Sequence, residues 1–208
     1  HPVDRRQRQM CIRDRDKPLL RDPVGATVVV HGETGFGNVT APSSLDYEAI
    51  KKPAYQFIID SVRAEPREIT LVAVGPLTNL ALALEAAPDI VDLVKEVVVM
   101  GGAFGENGHR GNVTPFAEAN IHDDPHAADK VFTASWPVVI IGLDVTEESF
   151  FTSLYLDELR DDAGEVGQFI WDISRYYLKF YSDKVGMDGC HVHDPSAIAY
   201  VIQPSLFT

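Results

Sequence analysis

The densest group of side chains able to do chemistry lies in the decapeptide GNVTPFAEAN, residues 111–120. Asn112, Glu118 and Asn120 fall within nine positions there. A carboxylate flanked by two amides suits the vicinal hydroxyls of a sugar, and the surrounding stretch, 103–124, is too long for a simple connection. The competing reading is that the same side chains cap the next helix. A second group is Cys190-His191-Val192-His193-Asp194-Pro195. His-x-His-Asp can ligate a metal or set an acid–base histidine beside a carboxylate. Asp before Pro is also the pattern of a helix N-cap. In GPLTN, residues 75–79, Thr78 or Asn79 can cap a helix, and the bent turn can offer a carbonyl to a hard cation such as calcium. Two glycine-rich stretches, HGETGFG (31–37) and GGAFGENG (101–108), lack both the Lys-Ser/Thr ending of a P-loop and G-x-G-x-x-G spacing. A nucleotide cofactor is therefore not expected.

These groups need elements to position them. Residues 26–30 (ATVVV), 69–74, 96–100 (EVVVM) and 138–143 are continuous apolar runs, the pattern of strands covered on both faces. Helical spacing marks 53–63, 77–86, 89–94, 125–135 and 195–202. The longest candidate is 165–184, with Val166, Phe169, Ile170, Ile173, Tyr177 and Phe180 on one stripe. The stretch 103–124 reads as neither helix nor strand. Alternation of apolar strands with helices predicts an α/β fold with an open, mostly parallel sheet flanked by helices. Ligands of such sheets bind beyond the carboxyl ends of the strands. The clusters at 31–37, 75–79 and 101–120 are therefore expected on one rim.

The chain has 208 residues, with 45% hydrophobic and 24% charged side chains, and this mix excludes disordered, collagenous and disulfide-scaffold classes. A net charge of −13 argues against nucleic-acid binding. The apolar runs are far shorter than the roughly 20 residues of a membrane helix. Two cysteines, Cys11 and Cys190, point to a reducing, cytoplasmic setting. Residues 1–15 hold five Arg and two Asp without an apolar pattern, so they are expected to be a disordered or non-native leader to a domain at 16–208.

Taken in order, HGETGFGN, VAVGPLTNLALAL, KEVVVMGGAFGENGHRGNVTPFAEANIHDDPHAADKVF, VVIIGLDVT and VHDPSAIAYVI resemble segments of the inosine–uridine-preferring nucleoside hydrolases. The resemblance implies a Rossmann-like nucleoside hydrolase fold and calcium-assisted hydrolysis of the N-glycosidic bond of ribonucleosides. It implies Asp194 as a metal carboxylate, Thr78 as the donor of a metal-binding carbonyl, and Asn112, Glu118 and Asn120 as ribose-binding residues. His193 resembles the acid that protonates the leaving base, and His31 another histidine near it. The implied partner is a small ribonucleoside, with no nucleic acid or membrane, and a homo-oligomer is expected of the full-length protein. The Asp-rich D-x-D-x-G-x-D-D loop with which the family begins has no counterpart in this sequence, and Ala119 stands where many members carry an aromatic. The chain therefore reads as the central part of such an enzyme, truncated at both ends, and is expected to be inactive alone. The alternative is a non-catalytic nucleoside- or sugar-binding domain that has lost the metal site.

Overall fold

The structure, a computed structural model, describes residues 17–22, 28–40 and 51–207. Along the chain the elements are α1 (Val28–His31), α2 (Ala54–Ala64), β1 (Thr70–Ala73), α3 (Thr78–Ala86), β2 (Glu96–Met100), α4 (Ala119–Asp123), α5 (Pro125–Thr133) and β3 (Val138–Ile141). There follow α6 (Leu143–Thr146), β4 (Phe150–Thr152), α7 (Ser153–Asp162), α8 (Gly164–Val185), β5 (Gly189–His191) and α9 (Asp194–Ile202). The described residues form two compact units: a larger one of 17–22, 51–149 and 193–207, and a smaller one of 28–40 and 150–192.

In the larger unit β1, β2 and β3 form a parallel sheet in that order, with Val72 opposite Val98 and Val98 opposite Val139. Successive strand side chains point to opposite faces, and β2 uses both. Val97 and Val99 pack with Ile59, Val62, Leu80, Ala127 and Val131 of α2, α3 and α5. Val98 and Met100 pack on the other face with Ile141, Leu143 and Ala197 of α9. This double cover is why the strands carry no polar alternation. The 75–79 and 101–120 segments follow the carboxyl ends of β1 and β2, on the expected rim. A 3-10 turn at Pro88–Asp92 occupies the place of the predicted 89–94 helix. The stretch read as an irregular loop holds a 3-10 turn, Glu106–Gly108, and α4.

The smaller unit corrects three expectations. The β-branched run at 26–30 is not a strand over its described part. Val28–Val30 enter the helical turn α1, closed by Gly32 N–H on the Val28 carbonyl at 2.8 Å, and Tyr176 Oη donates to that carbonyl at 3.2 Å. Local closure and a side-chain donor override the β preference where no partner strand is offered among the described residues. The 31–37 cluster thus follows a helical turn, not a sheet strand. Helix α8 lies where expected, but Val166 and Phe169 are 66% and 46% exposed, while Gly167 and Leu178 are buried. Gly167 sets this rotation: a Cβ there would lie 2.0 Å from the Leu159 carbonyl, so its bare backbone lets α7 approach. Finally β4 and β5 form an unpredicted antiparallel pair, and α7 follows, capped by Thr152, whose hydroxyl accepts from Tyr155 N–H.

Candidate active site

Glu118 is 2% exposed at the end of the long loop after β2. It caps α4: Oε1 accepts from Asn120 N–H at 2.9 Å, and Oε2 from Gly102 N–H at 3.0 Å and Ile121 N–H at 3.1 Å. The helix-cap reading of this residue is therefore realised. Burial pushes its carboxyl above the usual range and the Asp123 charge adds to this, against the three N–H donors. Asn120 Nδ2 donates to the Met100 carbonyl at 3.0 Å, and Asn112 Oδ1 accepts from Ala119 N–H at 3.0 Å. Glu118 and Asn120 are thus tied to the backbone at the end of β2, and Asn112 to the start of α4.

Asp194 is the first residue of α9. The cap position belongs to His193, with no side-chain capping bond, which corrects the N-cap reading of Asp194. Asp194 is exposed over the residue as a whole. Desolvation of its carboxyl, together with the Glu118 charge, pushes it up to about 6. His193 Nδ1 lies 2.8 Å from the Thr146 hydroxyl. Thr78 opens α3 and is fully buried, and its hydroxyl donates to Asp124 Oδ2 at 2.7 Å. Asp124 also accepts from Leu19 N–H and caps α5 through Ala127 N–H. The Thr78 side chain is therefore committed to its bond with Asp124.

The structure thus links Glu118 with Asn112, Asn120 and Asp194, and His193 adjoins them in sequence at the start of α9. His31 belongs to the smaller unit. It lines a cavity of about 280 Å³ with Phe36, Phe151, Ile170, Tyr177 and Cys190. Its ring stacks on Tyr177 at 5.7 Å, and burial lowers its pKa, favouring the neutral ring. Burial pushes the Cys190 thiol up to about 11, which disfavours the nucleophilic thiolate near neutral pH. Cys11 and residues 1–15 lie outside the described residues.

For a hard cation, Asp194 is an apt donor: a crowded carboxylate beside a second negative charge gains from a positive ion. The described residues nonetheless contain no group of three or more His, Cys, Asp or Glu able to hold a metal. Asp194 and the Thr78 carbonyl would supply two of the about six to eight oxygens that calcium takes.

The profile of the inosine-uridine preferring nucleoside hydrolases matches residues 6–208. The chain belongs to this family. It is similar to the inosine-uridine preferring nucleoside hydrolase of Crithidia fasciculata, 43% identical over 194 residues, covering 93% of this chain and 60% of that protein. Probable uridine nucleosidase 2 of Oryza sativa is 40% identical, covering 86% of this chain and 52% of the relative. A solved purine-preferring ribonucleoside hydrolase from Gardnerella vaginalis superposes with a TM-score of 0.86 at 37% identity, covering 93% of this chain and 61% of that one. The chain thus spans little more than half the length of the relatives it matches.

In this chain the turn α6 and the residues beside it hold side chains that the sequence reading passed over. Asp144 accepts from Phe104 N–H at 2.8 Å and Glu106 N–H at 2.7 Å. Burial acts to raise its carboxyl, but the N–H groups of Phe104, Asp144, Glu106 and Gly105 together hold it below the usual range. His109 is gripped by Glu147 at 2.6 Å and Glu148 at 2.5 Å. The Glu148 bond chiefly raises its pKa, aided by Glu147 and opposed by desolvation. The available signal was polar Asp and Thr directly after an apolar strand in GLDVT. No helix among the described residues is long and apolar enough to cross a membrane.

Proposed function

We propose that the protein hydrolyses the N-glycosidic bond of ribonucleosides, releasing ribose and free base. The observation that carries this reading is Glu118, a buried carboxylate fixed by one N–H donor just after β2 and two in the first turn of α4, in a chain of this family. A carboxylate has about four acceptor sites. Three are filled, and the fourth accepts a ribose hydroxyl. The Asn112 amide NH2 and the Asn120 amide oxygen, opposite the ends that hold the loop, then serve as a donor and an acceptor for neighbouring hydroxyls.

In the reaction the bond between C1′ and the base nitrogen breaks, and the bonding pair leaves with the base. Water adds its hydroxyl to C1′, and its other proton balances the reaction on the departing base through the acid–base groups. Positive charge develops on the ribose as this bond stretches. Fixed negative charge on Glu118 stabilises it without reorganisation. A proton donor helps the base to leave, and His193 and His31 are the candidates. When bound, a divalent cation such as calcium would orient the diol and lower the pKa of a water. Asp194 and the Thr78 carbonyl are the residues that would hold it. The two cysteines of the sequence support a reducing, cytoplasmic setting, and light scattering of the full-length protein would read the expected homo-oligomer.

The test is release of ribose from uridine, cytidine, inosine and adenosine, since the relatives carry uridine- and purine-preferring names. The expected outcome is equimolar ribose and base from at least one of them. Saturable nucleoside binding without ribose release overturns the reading in favour of a non-catalytic binding domain.

A further inference from the structure

The turn α6 sits at the carboxyl end of β3 with a tightly fixed backbone. Val145 and Thr146 N–H both donate to the Gly142 carbonyl, at 3.1 and 3.0 Å, and Leu143 N–H donates to the Gly102 carbonyl at 2.9 Å. Thr146, at its last position, is fully buried. A buried hydroxyl needs a partner. In a helical turn the nearest one is the carbonyl four residues back, here Gly142, which already accepts two N–H groups. The Thr146 hydroxyl is instead 2.8 Å from His193 Nδ1, 47 positions away. One edge of the imidazole is therefore fixed to the most rigid part of the rim, and α6 is the same turn whose Asp144 holds the loop leading to Asn112 and Glu118.

We propose that Thr146 is a positioning residue: by holding Nδ1 it sets the plane and flip state of the His193 ring, so that Nε2 faces the leaving base. This inference rests on the hydrolase reading above. Losing this contact leaves the ring less firmly fixed about its Cβ–Cγ bond, and the error in the placement of Nε2 can reach about an ångström. A misplacement of that size costs on the order of 100-fold in rate. Valine is nearly isosteric with threonine and removes only the hydroxyl, while serine keeps it.

The experiment uses the full-length protein as wild type, Thr146→Val and Thr146→Ser, with uridine or inosine and with 4-nitrophenyl riboside, whose leaving group needs no proton. With Thr146→Val, kcat on the nucleoside is expected to fall about 10- to 100-fold with KM nearly unchanged. The nitrophenyl substrate keeps its rate, and Thr146→Ser restores nucleoside turnover. Wild-type kcat in Thr146→Val, or equal slowing on both substrates, overturns the proposal. If the wild type releases no ribose, the hydrolase reading fails separately. The crystal structures then decide the anchoring: an unmoved His193 ring in Thr146→Val overturns it, and a turned ring that Thr146→Ser sets back supports it.

Discussion

Replacing Asp144 with asparagine isolates the grip of α6 on the loop after β2. Asp144 accepts two backbone N–H bonds, from Phe104 at 2.8 Å and Glu106 at 2.7 Å. Bonds to an ionised acceptor contribute about 1.5–3 kcal/mol each. Asparagine keeps one acceptor oxygen and turns an NH2 toward the other N–H, so one bond is lost and a donor faces a donor. Local opening of residues 104–106 should become easier by about 2–3 kcal/mol, or about 30- to 150-fold. Native-state amide exchange at Phe104 and Glu106 reads this directly, with the Val98 amide inside β2 as control. Unchanged protection at Phe104 and Glu106 refutes the reasoning, and an equal loss at Val98 marks general destabilisation. The pH behaviour has a definite sign. The Asp144 carboxyl is held below its ordinary value of 3.8. Its contribution is complete above that value and is lost as pH falls through the lower folded one.

His109 should behave oppositely. Its pKa is raised from 6.5, so its ion pairs contribute fully below that value and are lost as pH rises through the folded one. Because the Glu148 side chain is 62% exposed, His109→Gln should cost only about 1 kcal/mol. Denaturant titrations from pH 5.5 upward should show that cost fading as pH rises through the folded pKa, and a loss that does not change with pH would contradict the assignment. Gly167→Ala places a methyl 2.0 Å from the Leu159 carbonyl and should destabilise the protein by about 2 kcal/mol; a loss within 0.5 kcal/mol, roughly the scatter of surface changes, would mean that α7 and α8 yield easily. Asp194→Ala should lower metal-dependent turnover by orders of magnitude, and near-normal rates at saturating calcium would remove it from the cation site.

Strand β2 was legible to the residue because EVVVM is bounded by Lys95 and Gly101 and is buried on both faces. Helix α5 was legible because Asp124 and Pro125 mark its start. The antiparallel pair β4–β5 was not, because three-residue strands paired across two intervening helices leave no local pattern. Val28–Val30 misled because β-branching states a preference that one hydroxyl and one closed turn outweigh. In the candidate site, Glu118, Asn120 and Asp194 stood out by residue type and clustering, while their site roles came from the family resemblance. Asp144 and Thr146 did not stand out, since their partners lie 40 and 47 positions away. What a buried polar residue holds is a property of the packed chain, and Leu-Asp-Val-Thr reads locally as the frayed end of a strand.

The placement of α9 also dictates an order of assembly. Strands β1, β2 and β3 join in chain order, and α2, α3 and α5 are already to hand to cover the face of Val97 and Val99. The opposite face, with Val98, Met100 and Ile141, waits for Ala197, which arrives only after the whole 150–192 unit has been made. That late contact is the costlier loop to close. Because α9 begins at His193-Asp194, the packing of Ala197 onto this face also brings in the acidic end of the site. Both belong to one helix, so in a refolding experiment the disappearance of dye-binding apolar surface should coincide with amide protection in α9.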